Sequence, residues 1–148
     1  MQYFNLDDIQ GFSKLYRLNL INSITGYKSA NMIGTRSNSG EENVAIFSSI
    51  THLGSNPALL HFTLRPNTVP RDTYKNIKEN MVFTVNHVSL AQIEQAHHTS
   101  AKYDENISEF DQTSLEPEYK MDWHAPFVKG APIALGCRYL NEYDIKEN

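Results

Sequence analysis

A single cysteine, Cys137, stands in this chain of 148 residues, so no disulfide can close within it. Such thiol usage fits a reducing, cytoplasmic setting. Cys137 lies in the apolar run Ile133 to Leu140, which predicts a buried structural thiol rather than a redox nucleophile. Long apolar runs are missing: none approaches the ~20 residues that cross a bilayer, and Met1 to Leu20 lacks a signal-peptide layout, so no membrane partner is expected. Positive charge is in deficit as well. Thirteen Lys and Arg against seventeen Asp and Glu leave a net charge of −4, which argues against nucleic acid as a partner. No Gly-x-Gly-x-x-Gly or Walker-type loop occurs, so a dinucleotide has no Rossmann crevice to enter. No Gly-x-Ser-x-Gly elbow occurs either, and Ser48-Ser49 beside His52 has no evident acid partner for a triad. Metal-ligand spacing is lacking too. His97 and His98 would diverge by ~100° on a helix, and His52 and His61 have no cysteine or carboxylate placed to complete a set. Repeats, low-complexity tracts and linkers are absent, so residues 1–148 read as one domain, large enough for a real core.

What the chain does have is concentrated between Asn43 and Asn76. Asn43 to Ile50 alternates Val44, Ile46, Ser48 and Ile50 against Ala45, Phe47 and Ser49, the period of a strand with two unlike faces. Small Ser48 and Ser49 at its end let a planar ring lie close to the backbone. Gly54-Ser55-Asn56-Pro57 marks a turn, and Ala58 to Arg65 reads as a second strand that delivers Arg65 at its exit. Arg71-Asp72-Thr73 then precedes a helix over Tyr74 to Asn80, with Asp72 or Thr73 as N-cap. Unpaired N–H groups at that helix start, with Arg65 and Arg71 beside them and Thr73 adding its hydroxyl, form a phosphate seat.

Around this stretch, Ser13 caps a helix running to Ile24 with Leu15, Leu18, Ile21 and Ile24 on one side, and Gly26 stops it. Ser29 to Thr35 alternates as a strand, turned by Ser37-Asn38-Ser39-Gly40 into the Asn43 strand. Met81 to Val88 is a further strand and Leu90 to His98 a helix. Thr99 to Pro126 is a long polar excursion with one helical turn near Ile107 to Phe110, of the kind that serves as a functional rim or lid. Its seven acids from Asp104 to Asp122 read as a solvated face. Ile133 to Ile145 is the last strand candidate. Five strands with helices inserted predict a mainly β, α+β architecture: a small antiparallel barrel with α elements at its ends.

The pieces SANMIGT (Ser29 to Thr35), NVAIFSSITHLGSNPALL (Asn43 to Leu60), RPNTVPRDTYKNI (Arg65 to Ile77) and FTVNHV (Phe83 to Val88) share their order and separation with a known group. With HHTSAKY, ISEF and EYKMDWHAPFVKGAPIALG they cover most of Lys14 to Gly136. In these the chain resembles the flavin reductase-like FMN-binding split barrels, close to the flavoredoxin-type members. The resemblance implies a split barrel and bound FMN, with the ring along Ala45 to Ile50 and the backbone of Phe47, Ser48 and Ser49 at its polar edge. It places His97, Thr99, Ser100 and Lys102 at the cofactor rim, and leaves Asn31 and Thr35, on the neighbouring strand, in reach of the ribityl chain or phosphate. It implies an FMN-dependent oxidoreductase, either a flavin reductase fed by NAD(P)H or an electron carrier fed by a redox partner. No side chain acts as acid or base, and the protein is a homodimer. Members continue beyond the point where Tyr143 to Asn148 stops, so the barrel is expected to be incomplete at its C-terminus. The rival reading is a non-catalytic split-barrel dimerisation module without firm flavin binding. A pyridoxamine-phosphate-oxidase-like enzyme would need a basic substrate-phosphate site that the sequence does not display.

Overall fold

Alternation builds the main sheet of the computed structural model, which describes residues 1–65, 71–103 and 107–145. Strands β1 (Asn31–Arg36) and β2 (Glu42–Phe47) form an antiparallel hairpin with Ile33 opposite Ala45 and Thr35 opposite Asn43. Gly40, at φ +98°, supplies the left-handed residue that lets this turn close. β5 (Val82–His87) pairs antiparallel with the other side of β1, and β8 (Ala134–Arg138) with β5, giving the order β2-β1-β5-β8. A separate hairpin of β3 (Thr51–Ser55) and β4 (Ala58–His61) stands apart from this sheet, and β6 (Pro117–Glu118) pairs with β7 (Phe127–Val128). The helices are α1 (Leu6–Gly11), α2 (Lys14–Ser23), α3 (Asp72–Asn80), α4 (Ile93–His98), which follows a 3-10 turn over Leu90–Gln92, and α5 (Glu109–Gln112).

Because side chains alternate across a strand, the sheet has two apolar faces, and each acquires its own cover. On one face Ile33, Phe83 and Val85 pack with Ile77 of α3 and with half-buried Phe47, Phe62 and Cys137. On the other, Met32 and Val44 pack with Ala96 of α4, Phe110 of α5, Leu115 and Val128. Complete burial of each large side chain contributes roughly 1.5–3 kcal/mol. Two polar devices fix the second layer. Thr84 Oγ1 donates to the Pro126 carbonyl at 2.6 Å, and Asn86 accepts the Val128 N–H at 3.0 Å while donating to the Met32 carbonyl at 3.2 Å. Pro126 approaches so closely that a Cβ on Gly34 would lie 2.3 Å from its carbonyl oxygen, so β1 must carry glycine there.

The mainly antiparallel α+β architecture is as the sequence predicts, with differences in detail. β3 occupies what reads as a polar bend, and it takes β4 as its partner, leaving that strand separate from β2. β4 stops at His61, short of Arg65. The helix before β5 begins at Asp72, and its N-cap is Arg71 rather than Asp72 or Thr73, because the Thr73 hydroxyl is engaged with Asn43. The excursion from Thr99 to Pro126 is more ordered than its polarity suggests: α5 and β6 lie within it, and β7 follows at once. The last strand ends at Arg138. α2 has the predicted Ser13 cap, yet its apolar side is uncovered, with Leu15, Leu18, Ile21 and Ile24 all exposed. Cys137 is half-buried, and burial pushes its thiol up to about 11, which suits a structural thiol.

Candidate functional site

The site is built on the outer flank of β2, whose two ends are tied down by different side chains. At the start of the strand lies buried Asn43. Its amide is best oriented with the oxygen accepting from the Thr35 and Thr73 hydroxyls, at 3.2 and 3.1 Å, and the nitrogen donating to Glu109 Oε2 at 3.3 Å. In that orientation the oxygen faces only donors and the nitrogen faces a carboxylate. At the far end, Ser49 Oγ donates to the Thr63 carbonyl and accepts the Thr63 N–H, both at 3.1 Å. Six residues of extended chain separate Asn43 from Ser49, roughly 20 Å. Thr63 and Thr73 are thus tied to the β2 segment, Thr63 just beyond its end and Thr73 near its start.

This pinning decides where the arginines are. Arg65 follows Thr63 by two residues, so its backbone lies within ~7 Å of the Ser49–Thr63 bonds along the chain. Arg71 precedes Thr73 by two and stands at the N-cap of α3 without a side-chain cap bond. Both are exposed.

Between those ends the strand is small or turned away. Ala45 is half-buried, and Ser48 is exposed. Phe47 turns its ring into the core, edge-on to Phe62 at 5.4 Å, so toward the flank it offers backbone. Ile50 is half-buried against the same cluster, and its carbonyl accepts from Ser29 Oγ at 3.1 Å. The rim comes from α4. Thr99, buried at its C-terminus, accepts the Ile46 N–H at 3.0 Å and donates to the Ala96 carbonyl at 2.8 Å. That bond draws His97, Ser100 and Lys102 to the β2 edge; His97 and Lys102 are exposed, and the Ser100 hydroxyl donates to the His97 carbonyl. Asn31 and Thr35 point inward. Asn31 is buried and donates to Ser29 Oγ, and fully buried Thr35 is used by Asn43 and by Asn76.

Two members of this arrangement escape sequence reasoning. Asn43 reads only as the first residue of a strand. Glu109 reads as one acid in a solvated run, yet its carboxylate accepts the Val44 N–H at 3.1 Å and lies against Asn43. Burial raises its pKa, the N–H groups of Glu109 itself and of Val44 oppose that rise, and nearby Asp72 adds to it. The only local signal is Ser108, whose hydroxyl caps the short helix that presents Glu109. The histidines of the hairpin are not brought together: His61 stands opposite Thr51, and His52 opposite Leu60.

A cleft of about 100 Å³ opens at the Asn43 end, with Glu41, Glu42 and Asp72 in its lining. A second, of about 160 Å³, lies away from β2, between Gln92, Leu115 and Lys129. Both are below the ~300 Å³ usual for a small-molecule pocket. The β2 flank is an open shelf by comparison, with cations at both ends and small side chains between.

Residues 26–148 match the family model described as "Flavin reductase like domain". An uncharacterised protein of Aquifex aeolicus (strain VF5) is 29% identical over 118 residues, which make up 76% of this chain and 60% of that protein. A Shewanella frigidimarina NCIMB 400 protein with a split barrel domain, assigned as a flavin reductase, has a TM-score of 0.95 at 39% identity. The match spans 99% of this chain and 73% of that one. The flavoredoxin of Desulfovibrio vulgaris (Miyazaki F) shares the fold at a TM-score of 0.73 and 22% identity, over 97% of this chain and 69% of its own. The fold is that of the split-barrel proteins, and the chain spans 60% of the length of the curated relative it matches.

Proposed function

The chain belongs to the family of flavin reductase-like domains, and from that premise we propose that it binds FMN along the outer flank of β2 for flavin-dependent redox work, as a flavin reductase or a flavoredoxin-like electron carrier. One observation carries the reading. The Ser49–Thr63 bonds and the Asn43–Thr73 bond tie the residues next to Arg65 and next to Arg71 to the β2 segment, which offers small Ala45 and Ser48. The donor set fits the cofactor. Ala45 and Ser48 admit a flat ring, and the backbone at Phe47, Ser48, Ser49 and Ile50 supplies polar groups for its edge. Arg71, Thr73 and the first N–H groups of α3 suit a phosphate of roughly −1.5 to −2 charge. Arg65, at the other end, faces the ring, while His97, Thr99, Ser100 and Lys102 border the shelf. When bound, the flavin supplies hydride and electron transfer, with NAD(P)H or a redox protein as donor. The chain's own residues bind and orient it, and none is needed as acid or base. A second copy of the chain closes the open shelf in a homodimer, and the single unpaired thiol supports a cytoplasmic setting.

Titration with FMN and riboflavin tests this. Arg71→Ala should weaken FMN binding by about 10- to 100-fold, the loss of one charge-assisted contact of ~1.5–3 kcal/mol, and leave riboflavin binding nearly unchanged. Arg65→Ala should weaken both alike. Equal losses for both ligands in Arg71→Ala would remove the phosphate assignment. The rival, a dimerisation module without firm flavin binding, is favoured by exposed Leu15, Leu18 and Ile21 on α2. A purified protein that shows no flavin absorbance with FMN in excess would decide for it.

A further inference from the structure

We propose that Asn43, held in place by Glu109, is a positioning residue for the phosphate end of the flavin shelf, acting through Thr73 to set the first turn of α3. This rests on the flavin reading above and adds to it residues that need touch no ligand. The buried described residues of α3 are Thr73, Asn76 and Ile77, and the first two are polar. Thr73, Asn76 and Asn80 recur at helical spacing, as one stripe along α3. That stripe lies against the β1–β2 hairpin and bonds to it at every step. Thr73 Oγ1 meets the Asn43 amide at 3.1 Å, Asn76 Nδ2 donates to Thr35 Oγ1 at 3.2 Å, and Asn80 Nδ2 donates to the Arg36 carbonyl at 2.9 Å. An apolar seam lets a helix turn and slide, because the hydrophobic effect has no direction. Hydrogen bonds weaken steeply with angle, so this seam fixes how α3 is turned about its axis.

The sense of each bond at Asn43 is determined from two sides. Thr35 Oγ1 takes the Asn76 N–H, so its own hydrogen goes to the Asn43 oxygen. On the other side the Asn43 nitrogen faces Glu109 Oε2, which also accepts the Val44 N–H, and an ionised carboxylate can only accept. The Asn43 oxygen is thereby turned to Thr73, whose hydroxyl hydrogen points inward. What Thr73 keeps for a ligand is its backbone N–H, in the first turn of α3 beside Arg71. Without an acceptor at position 109 the Asn43 nitrogen would be a buried donor lacking a partner. The amide must then shift toward water and draw its oxygen away from Thr73.

Titration of the full chain with FMN and riboflavin, followed by flavin fluorescence, tests this. Glu109→Gln keeps an oxygen for the Asn43 and Val44 N–H groups, whereas Glu109→Leu does not. Glu109→Leu should weaken FMN binding by about tenfold, and Glu109→Gln should leave it within about twofold of the parent. Riboflavin, which has no phosphate, should change by less than about twofold in both. A role through charge alone would instead make both substitutions strengthen FMN binding alike, and that result overturns the proposal. In a Thr73→Val background, Glu109→Leu should add no further loss, because its effect runs through that hydroxyl; additive losses overturn the proposal as well. Should Glu109→Leu not fold, Thr73→Val is compared with Thr73→Ser. The valine variant should lose FMN affinity by about tenfold and the serine variant should retain it, and equal affinities count against the proposal. A parent chain that binds no FMN would remove the flavin reading and this role together. A parent that binds FMN, with leucine and glutamine equivalent at position 109, would remove this role alone.

Discussion

The main sheet has two edges, and they are finished in opposite ways. Along β2 the outward N–H groups of Val44 and Ile46 are taken by Glu109 Oε2 and Thr99 Oγ1, at 3.1 and 3.0 Å. Along β8 the corresponding groups of Ala134, Gly136 and Arg138 meet no described residue. Side chains can thus seal a strand edge without another strand, here from positions 65 and 53 residues away in sequence. The sealed edge is also the flank proposed for flavin. Holding β2 rigid there fixes Ser48 and Ser49, at the cost of burying a carboxylate. The open edge carries no such demand.

Breaking the seal should have the largest effect. Glu109→Ala combined with Thr99→Val leaves the Ile46 N–H without its partner and the Val44 N–H with only the Asn43 amide oxygen at 3.3 Å, and a full loss costs ~1–3 kcal/mol. Urea unfolding should show a loss of about 2–4 kcal/mol, with faster exchange at Val44 and Ile46. Unchanged stability would mean that water seals the edge equally well. Next comes Gly136→Ala. Its Cβ would sit 3.1 Å from the Trp123 ring, which packs on β8 while donating its N–H to the Phe83 carbonyl. Overpacking of this kind costs ~1–3 kcal/mol, and a red shift in the emission of the chain's one tryptophan should accompany it. An unshifted spectrum would show that the ring yields without leaving the strand.

Glu109→Gln sharpens the comparison, because it keeps an oxygen for Val44 and removes the buried charge. At neutral pH its stability should lie within ~0.5 kcal/mol of the parent. The raised pKa fixes the sign of the pH effect. A carboxyl that is harder to ionise folded than unfolded favours the fold when protonated, a contribution fully present below the ordinary carboxylate value of ~4.3. That contribution is lost as pH rises through the raised folded value. The parent's Tm should therefore fall relative to Glu109→Gln over that rise, and parallel profiles would remove Glu109 as the cause. The smallest effect is at the open edge. With its pKa pushed up to about 11, Cys137 should alkylate about 100-fold more slowly folded than in urea. Equal rates would mean that β8 leaves the thiol in water.

The parts legible in the sequence are those written in local pattern. Alternation located β1 and β2, β-branched and aromatic content located β5, and Ser13 with Gly26 bounded α2 to within a residue or two. β3 was hidden because Thr51–Ser55, with Gly54 inside it and a bulge between His52 and Gly54, carries no alternation of its own. β6 and β7, at two residues each, are too short for any period to register. The residues proposed for the ring side of the shelf come from strand order and family resemblance. Asn43, Thr99 and Glu109 act through contacts across 30 to 65 residues, which no local window contains. The apolar side of α2 is a different case: the pattern is present, and none of the described residues covers it.

Ser49 gives and receives with the same hydroxyl, so the excursion from Ile50 to Phe62 leaves and returns at one oxygen atom. Everything beyond that atom, out to Asn56 and Pro57 at the tip, hangs from a closed clasp, and chain length there is decoupled from the geometry of the shelf. Residues could be grafted into the tip, a reporter peptide or an affinity handle, without the cofactor flank registering the change.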